Sequence, residues 1–313
     1  MEATAVVLEA PERLALQRLA LTEPTAADAV VAVRWSGVST GTERLLWSGR
    51  MPAFPGMGYP LVPGYESVGE VVEAGAGSGV KAGDIVFVPG AACYRDARGL
   101  FGASSDTIVT AGARLIRLDP ALGSDGVLMS LAATAYRAVV SGDGTAPDLV
   151  VGHGVLGRLI ARIAVAMGAP APTVHEINPA RLTGEAWTPV APGDDPRRDY
   201  ACVHDASGAP DMLDGLIGRL ARSGEVVLAG FYEAPLSFAF PAAFMREARI
   251  RISAEFKPAD LAGVVRLLES GALSLAGLVS HIRPAPDAAD AYRTAFTDPS
   301  CLKMVLDWSP AHD

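Results

Sequence analysis

The stretch Asp148-Leu-Val-Val-Gly-His-Gly-Val-Leu-Gly157 places an apolar run directly before three glycines in the pattern G-x-G-x-x-G. The run has the length and composition of a short buried strand. After it, apolar residues recur at spacings of three and four, which is the period of an amphipathic helix: Leu156, Leu159, Ile160, Ile163 and Met167. Strand, glycine-rich turn and helix in this order predict a dinucleotide-binding unit.

Each glycine of the motif has a separate physical role. Gly152 permits a tight turn, Gly154 lets the backbone approach a diphosphate, and Gly157 lets helix and strand pack closely. Val155 and Leu156 open the predicted helix, whose N-terminus carries a partial positive charge. We therefore expect this whole turn to hold the phosphates of a cofactor.

An acidic residue follows at the expected distance. Glu176 lies at the end of the next predicted strand, where a carboxylate accepts hydrogen bonds from an adenosine ribose and repels a 2′-phosphate. This favours NAD over NADP. Asn178, two residues further along, is also predicted to contact the cofactor. Arg181 leaves the opposite preference open, because a nearby arginine can hold a 2′-phosphate. His153, inside the glycine turn, could contact a phosphate or point to solvent.

Strand signals return at 201–204 and 225–229, with a predicted helix over 211–221 between them. Strands that alternate with helices imply a parallel, doubly wound α/β sheet, and ligands bind beyond the carboxyl ends of its strands. Four residues follow strands where nicotinamide and its ribose would lie: Ser207, Gly208, Gly230 and Phe231. Loop residues without a ligand contact are the alternative.

The remaining chain suggests a second domain. Residues 1–125 are rich in predicted strands and are heavily interrupted by glycine and proline: 4–8, 29–35, 68–73 and 85–88. A helical pattern runs from about 125 to 140, and a final helix and strand lie near 287–297 and 303–307. We predict a β-rich catalytic domain over 1–125, a Rossmann domain over 126–275 and a return to the first domain over 276–313.

Composition excludes several classes of protein. The chain has 313 residues, 50% of them hydrophobic, and a net charge of −9, which disfavours nucleic acid as a partner. Three scattered cysteines (Cys93, Cys202 and Cys301) give no disulfide framework and suit a reducing cytoplasm. No apolar run reaches the ~20 residues of a membrane helix. Peripheral contact with a membrane surface stays open.

Five segments resemble the medium-chain dehydrogenase/reductase superfamily. They are Ser36-Gly-Val-Ser-Thr-Gly-Thr-Glu43, Pro63-Gly-Tyr-Glu-Ser67, Gly83-Asp-Ile-Val86, Val279-Ser-His-Ile-Arg283 and Lys303-Met-Val-Leu306. The resemblance covers nearly the whole chain. It implies a GroES-like catalytic domain joined to a Rossmann domain, and a homodimer formed through the edge of the Rossmann sheet.

The chain departs from the zinc enzymes of that superfamily at the metal site. Where those enzymes carry cysteine and histidine ligands, this chain has Ser39 and Tyr65, and only Glu66 of the set remains. Leu131-Ala-Ala-Thr134 stands near the place of the remaining cysteine ligand. Hydroxyls and alanine are poor zinc ligands beside thiolate and imidazole, so we expect no catalytic metal.

Longer segments resemble a zinc-free branch of the superfamily that acts on bacteriochlorin pigments: 39–44, 46–52, 55–66, 230–232 and 240–248. This resemblance implies that the 3-(1-hydroxyethyl) group of a bacteriochlorin pigment is oxidised to 3-acetyl in bacteriochlorophyll synthesis, with NAD⁺ accepting the hydride. Apolar side chains in these segments could line a flat pocket for the macrocycle: Trp47, Met51, Phe54, Met57 and Tyr59. Ordinary packing under a long loop is the alternative.

Without a metal, protein groups must accept the hydroxyl proton and stabilise the developing alkoxide. The candidates are hydroxyl and carboxyl side chains on two loops: Ser39, Thr40, Thr42, Glu43, Tyr65 and Glu66. Tyr65 or Glu66 is the expected proton acceptor. A structural role for Glu66 and a surface ion pair for Glu43 are the alternatives.

Two other functions fit the same motifs. A zinc-free quinone or enoyl reductase would use NADPH to reduce a C=C bond, and Glu176 argues against it. A non-catalytic carrier of pigment or nucleotide would bind both ligands without turnover.

Overall fold

The computed structural model describes residues 1–53 and 55–309. Its chain divides into two compact units. Unit 1 comprises residues 1–129 and the chain from Leu278 onward, and unit 2 comprises Ser130–Gly277.

The strands, in chain order, are β1 (Glu2–Ala10), β2 (Arg13–Ala20), β3 (Asp28–Val38), β4 (Ser67–Ala74), β5 (Ile85–Val88), β6 (Thr107–Ala111), β7 (Ile116–Arg117), β8 (Leu149–Val151), β9 (Thr173–His175), β10 (Tyr200–Asp205), β11 (Leu220–Leu228), β12 (Arg249–Ile252), β13 (His281–Pro284) and β14 (Met304–Asp307). The helices are α1 (Thr42–Trp47), α2 (Met129–Val140), α3 (Val155–Ala166), α4 (Leu213–Ile217), α5 (Phe240–Arg246), α6 (Pro258–Glu269) and α7 (Ala288–Thr297). Short 3₁₀ segments cover Gly112–Arg114, Pro120–Leu128, Pro179–Arg181 and Ala285–Asp287.

Unit 1 is built on a seven-stranded sheet in the order β13-β14-β3-β4-β5-β7, with β6 also paired to β3. A separate antiparallel hairpin, β1-β2, packs into the same core. Strand β3 is long because it pairs in turn with β6, β4 and β14. Val30, Val31 and Val33 are buried against the apolar side chains of the neighbouring strands, as expected for β-branched residues in a half-buried sheet.

Unit 2 holds five parallel strands in the order β12-β11-β10-β8-β9. Because β9 lies on one side of β8 and β10 on the other, the chain direction across the sheet reverses at β8. Ligands of doubly wound sheets bind at this kind of reversal. The GroES-like plus Rossmann fold class predicted from the sequence is confirmed.

The structure corrects one predicted helix and shows a shortened connection after β9. The helix predicted over 211–221 is wrong in extent: α4 ends at Ile217, where Gly218 follows, and β11 begins at Leu220. Between β9 and β10 the chain forms the 3₁₀ turn Pro179–Arg181 and one bridge between His175 and Val190 instead of a crossover helix.

Within the described part of the chain, no helix is long and apolar enough to span a bilayer.

Candidate active site

Three strand ends meet at one edge of the unit 1 sheet. Strand β14 runs antiparallel to β3, and β3 antiparallel to β4, so the start of β14 and the start of β4 both lie beside the end of β3. Ser39 follows β3, Glu66 precedes β4 and Lys303 precedes β14. The strand pairing therefore brings polar residues from distant parts of the sequence to one place.

Hydroxyl groups form the first part of this cluster. The half-buried Tyr65 donates its hydroxyl to Ser39 Oγ at 2.7 Å and contacts Thr42 Oγ1 at 3.4 Å. The backbone N–H of Thr42, the first residue of α1, also donates to Ser39 Oγ, at 3.3 Å. Burial and the neighbouring Glu66 carboxylate raise the pKa of Tyr65, so the phenol stays protonated. Thr40 lies half-buried beside Ser39.

Glu43 is fully buried, so the expectation of a surface ion pair is wrong. Helix α1 turns its side chain inward, where Oε2 accepts a 2.5 Å hydrogen bond from the Tyr292 hydroxyl. Oε1 accepts from the backbone N–H of Ser39 at 3.2 Å. Burial raises the pKa of Glu43 to about 7, and the Glu66 carboxylate adds to that rise, while the Tyr292 hydrogen bond opposes it.

Glu66 and Lys303 form a buried ion pair through Oε2 and Nζ. The pair is crowded against β3, since a Cβ added at Gly37 would lie 2.7 Å from Glu66 Oε2 and 2.9 Å from Lys303 Cε. Among the described residues no group donates to Glu66 Oε1, although this atom is buried. Burial raises the pKa of Glu66, and the Lys303 ammonium counteracts it. Glu66 thus keeps one open acceptor atom beside a fixed counter-charge.

Sequence reasoning missed two members of this cluster, Tyr292 and Lys303. A lysine directly before the apolar run Met304-Val-Leu306 is unusual, because lysine is almost never fully buried without a partner. That signal would have justified a search for a buried carboxylate. Tyr292 carries no comparable signal, since it sits on the apolar face of an ordinary amphipathic helix.

The donor set does not suit a zinc ion. The Ser39 and Tyr65 hydroxyls are hydrogen-bonded to each other, and the Lys303 ammonium beside Glu66 would repel a second cation. In unit 2, Thr134 belongs to the segment that the sequence resemblance places near a further zinc ligand, and its hydroxyl donates to the Ser130 carbonyl at 2.9 Å. Across residues 1–53 and 55–309, no three histidine, cysteine, aspartate or glutamate side chains are grouped to hold a metal.

The residues expected to line a macrocycle pocket pack together around α1. Met51 is buried in an apolar cluster with Leu46 and Leu61, and Trp47 and Tyr59 pack against that cluster. The Tyr59 hydroxyl donates to the Leu46 carbonyl. Trp47 also lines a cavity of about 300 Å³ with charged neighbours: Glu9, Glu12, Arg13 and Arg293. Met57 packs against the same cluster, and Phe54, the remaining predicted residue, lies outside the described residues.

The glycine turn of unit 2 has the tight geometry that its sequence predicts. Gly152 has a φ of +92°, a backbone conformation that favours glycine. A Cβ added at Gly157 would lie 1.9 Å from the Gly152 carbonyl oxygen, so helix α3 can approach β8 this closely only without a side chain. Gly154 is the N-cap residue of α3. A Cβ added there would have Arg181 Nη1 as its nearest neighbour, at 3.7 Å.

Glu176 lies against the same turn. Its carboxylate accepts from the backbone N–H of His153 at 2.9 Å, Ile177 at 2.7 Å and Asn178 at 2.8 Å. It also borders a cavity of about 430 Å³ together with Asp194 and the apolar side chains Ile177, Leu182, Pro189, Val190 and Ala191. The lining of this cavity is therefore mainly apolar, with two carboxylates among its residues.

The structure corrects the expectation that the His153 side chain points to solvent. Its side chain is buried, with Nδ1 at 2.5 Å from the Arg181 carbonyl and Nε2 at 3.2 Å from Trp187 Nε1. Both ring nitrogens are engaged, because the chain after β9, without a crossover helix, folds back over the turn. This use of His153 could not be read from the G-x-G-x-x-G pattern.

The loops after β8, β10 and β11 converge at the carboxyl edge of the sheet. An added Cβ at Gly152 would lie 3.2 Å from Ser207, and one at Gly230 would lie 2.9 Å from Gly208. An added Cβ at Gly208 would lie 3.2 Å from the Phe231 carbonyl. The four residues predicted for the nicotinamide side therefore share one location, although no ligand contact tests their roles. Asp205 fixes these loops by accepting from Tyr232 at 2.8 Å and from the Ser207 N–H at 2.9 Å.

Comparison with known proteins identifies the family. Residues 25–141 match the alcohol dehydrogenase GroES-like domain. The chain is 56% identical to a 2-desacetyl-2-hydroxyethyl bacteriochlorophyllide A dehydrogenase of Rhodobacter capsulatus, over 99% of this chain and 100% of the relative. It is 53% identical to the protein of the same name from Cereibacter sphaeroides, over 98% and 99% of the two chains.

The fold also matches solved dehydrogenases. The L-idonate 5-dehydrogenase of Escherichia coli superposes with a TM-score of 0.86 at 16% identity, covering 98% of this chain and 99% of that one. With the near full-length relatives, these matches carry the conclusion: the chain is a dehydrogenase of the 2-desacetyl-2-hydroxyethyl bacteriochlorophyllide A dehydrogenase family, within the medium-chain dehydrogenase/reductase superfamily.

Proposed function

We propose that this chain oxidises the hydroxyethyl group of a bacteriochlorophyllide to an acetyl group, with NAD⁺ as the oxidant and without zinc. The observation that carries the mechanism is the Tyr65–Ser39 hydrogen bond beside the buried Glu66–Lys303 pair, formed by residues at positions that the sequence resemblance aligns with zinc ligands. The substrate is proposed from the names of the two relatives at 53% and 56% identity.

The reaction removes a hydride and a proton from the alcohol. NAD⁺, when bound, accepts the hydride from the carbinol carbon, and the O–H proton passes to the protein as the C=O bond forms. Ser39 is proposed to donate its own O–H to the alcohol oxygen. Tyr65, which donates to Ser39 Oγ in the free protein, is proposed to turn its single O–H to the alcohol oxygen when the substrate binds, so that both hydroxyls stabilise the developing negative charge. Their hydroxyls can also pass the proton onward.

Glu66 is the proposed proton acceptor. Its Oε1 accepts no hydrogen bond from the described residues, so a lone pair is open, while Lys303 stabilises the ionised form through Oε2. Tyr65 is unsuited to the role because its raised pKa keeps the phenol protonated. Glu66 thus replaces Tyr65 as the preferred acceptor of the two that the sequence suggested.

The cofactor is proposed to occupy unit 2. The glycine turn and the first residues of α3, Val155 and Leu156, would hold the diphosphate, and Glu176 would bind the adenosine ribose. Glu176 and Asp194 at the rim of the 430 Å³ cavity support NAD, since both would repel a 2′-phosphate. Arg181 lies near Gly154 on the diphosphate side of the turn, so it is proposed to contact the diphosphate.

An absorbance assay tests the function directly. Purified protein is mixed with a hydroxyethyl bacteriochlorophyllide and NAD⁺, and the pigment spectrum and NADH formation are followed together. We expect a red shift of the pigment band with one NADH per pigment, no loss with a chelator, and a markedly lower rate with NADP⁺. Cofactor binding without any spectral change would instead indicate a carrier, and turnover that requires NADPH and a C=C substrate would indicate a reductase.

We also propose that unit 2 forms a homodimer through β12. This strand is the edge of the parallel sheet, and Ile250 and Ile252 are 37% and 78% exposed there. An exposed apolar edge pairs readily with another strand, and a second copy of β12 offers the same surface about a two-fold axis.

Light scattering after size-exclusion chromatography tests the dimer. The unaltered protein should elute with twice the chain mass, and Ile252→Asp should shift it to the monomer, because a charge would be buried in the interface. Val165→Asp on α3, where the valine is 43% exposed, is the matched control and should stay dimeric. A monomeric parent protein would rule the proposal out.

A further inference from the structure

Tyr292 stands at the start of a hydrogen-bonded chain that reaches the proposed catalytic hydroxyls. Its hydroxyl donates to Glu43 Oε2, whose other oxygen accepts from the backbone N–H of Ser39. Ser39 Oγ in turn accepts from Tyr65. Each link joins a different segment: α7, α1, the loop after β3 and the loop before β4.

We propose that Tyr292 and Glu43 are positioning residues, which fix Ser39 and through it the Tyr65 hydroxyl against the substrate. The inference rests on the proposed function, because it assigns Ser39 and Tyr65 to the alcohol oxygen. Neither Tyr292 nor Glu43 needs to touch the substrate, since both side chains are fully buried and act through Ser39.

The geometry demands an ionised Glu43. Both carboxylate oxygens accept a hydrogen bond, one from Tyr292 and one from Ser39, so a proton on either oxygen would compete with a donor that is already in place. Protonation of Glu43 would therefore loosen Ser39. Since burial raises the pKa of this group to about 7, the loosening falls within the neutral range.

The surroundings of Glu43 set the direction of the pH effect. The titratable groups that face it are Tyr292 from α7, Tyr65 and Glu66 from the loop before β4, and Lys303 from the start of β14. Glu66 disfavours ionisation of Glu43, whereas Lys303 and the Tyr292 hydroxyl favour it. Loss of the Tyr292 hydroxyl should thus raise the pKa of Glu43. As the pH is lowered, the variant should then lose turnover at a higher pH than the unaltered protein does.

The test is the pH profile of kcat/KM for Tyr292→Phe. We expect the acid limb to move upward by about one pH unit, with about fivefold lower kcat/KM at pH 7 and an unchanged KM for NAD⁺. Glu43→Gln should lose the part of the acid limb that Glu43 contributes and keep only the part that comes from protonation of Glu66. Tyr200→Phe is the matched control, because Tyr200 also donates from a buried position to a carboxylate, that of Asp195 at 2.9 Å in unit 2, and its profile should not move.

A second measurement does not need turnover. Difference infrared spectroscopy can follow the protonated-carboxyl band that is lost in Glu43→Gln, and Tyr292→Phe should shift its titration upward in the absence of substrate. An unshifted band and an unshifted acid limb would overturn the inference. A shifted band in a protein that does not oxidise the pigment would leave the Tyr292–Glu43 link standing and reject the proposed function instead.

Discussion

Lys303→Met should destabilise unit 1 by about 3–5 kcal/mol, because it leaves Glu66 buried without its counter-charge. The side chains of Lys303 and Glu66 are only 2% and 0% exposed, so water cannot replace the ammonium. Methionine has a similar length and fills the space of the lysine stem. The loss of stability therefore measures the effect of the removed charge and not that of a cavity.

Denaturant unfolding of the variant measures this effect. The deficit should shrink at acid pH: Glu66 already has a raised pKa, and without Lys303 it rises further, so the folded state binds a proton more readily than the unfolded state. Stability of Lys303→Met should accordingly fall as pH rises. An unchanged free energy of unfolding at neutral pH would show that the pair is not formed in solution.

Two further variants separate charge from packing. Lys303→Met combined with Glu66→Leu removes both charges and should recover much of the lost stability, as replacement of buried ion pairs by apolar residues often does. Lys81→Met, at an exposed lysine of the same unit, should change stability by no more than about 0.5 kcal/mol.

The Rossmann unit could be predicted because its signals are local. The glycine turn, the strand before it and the helix after it are adjacent in sequence, and Gly157 is required by a backbone contact only five residues away. Glu176, the acidic residue that follows β9, belongs to the same short stretch of sequence and could be predicted for the same reason. The prediction made helix α4 too long because the apolar pattern over 211–221 continues into β11. The pairing of Leu220 with Tyr200 marks the start of that strand, and a local pattern does not contain it.

The candidate cluster of unit 1 was only half predictable. Ser39, Glu43, Tyr65 and Glu66 lie within two short segments, so their residue types were visible. Lys303 lies 237 residues from Glu66 and Tyr292 lies 249 residues from Glu43, and only the pairing of β14 with β3 and the packing of α7 bring them together. The pKa of Glu43 follows from those distant neighbours and from burial, neither of which a local pattern contains.

The different tasks proposed for the two buried carboxylates, Glu66 and Glu43, have a physical basis. Glu66 has an ammonium on one oxygen and an open lone pair on the other, which suits a group that gains and loses a proton. Glu43 has a donor on each oxygen, which suits a group that holds its neighbours still. Two carboxylates in one site commonly take different roles because their surroundings give them different pKa values and hydrogen-bond partners.

Tyr65→Phe should lower kcat by about 10²–10³-fold, the usual effect of removing one donor from a developing oxyanion. Affinity for NAD⁺ should not change, since the proposed cofactor residues belong to unit 2. Single-turnover absorbance of the pigment measures the chemical step, and Glu66→Gln should slow the same step by removing the proton acceptor. Unchanged turnover in both variants would reject the proposed acid–base roles.

A double-mutant cycle with Ser39→Ala distinguishes a working pair from two independent contacts. Tyr65 donates to Ser39 Oγ at 2.7 Å, so removal of either hydroxyl should already disorder the other, and the double variant should be little slower than Tyr65→Phe alone. Fully additive losses would mean that the two hydroxyls act on the substrate separately. In that case the positioning of Tyr65 must come from its edge-on contact with Phe101, whose ring centroid lies 5.1 Å away.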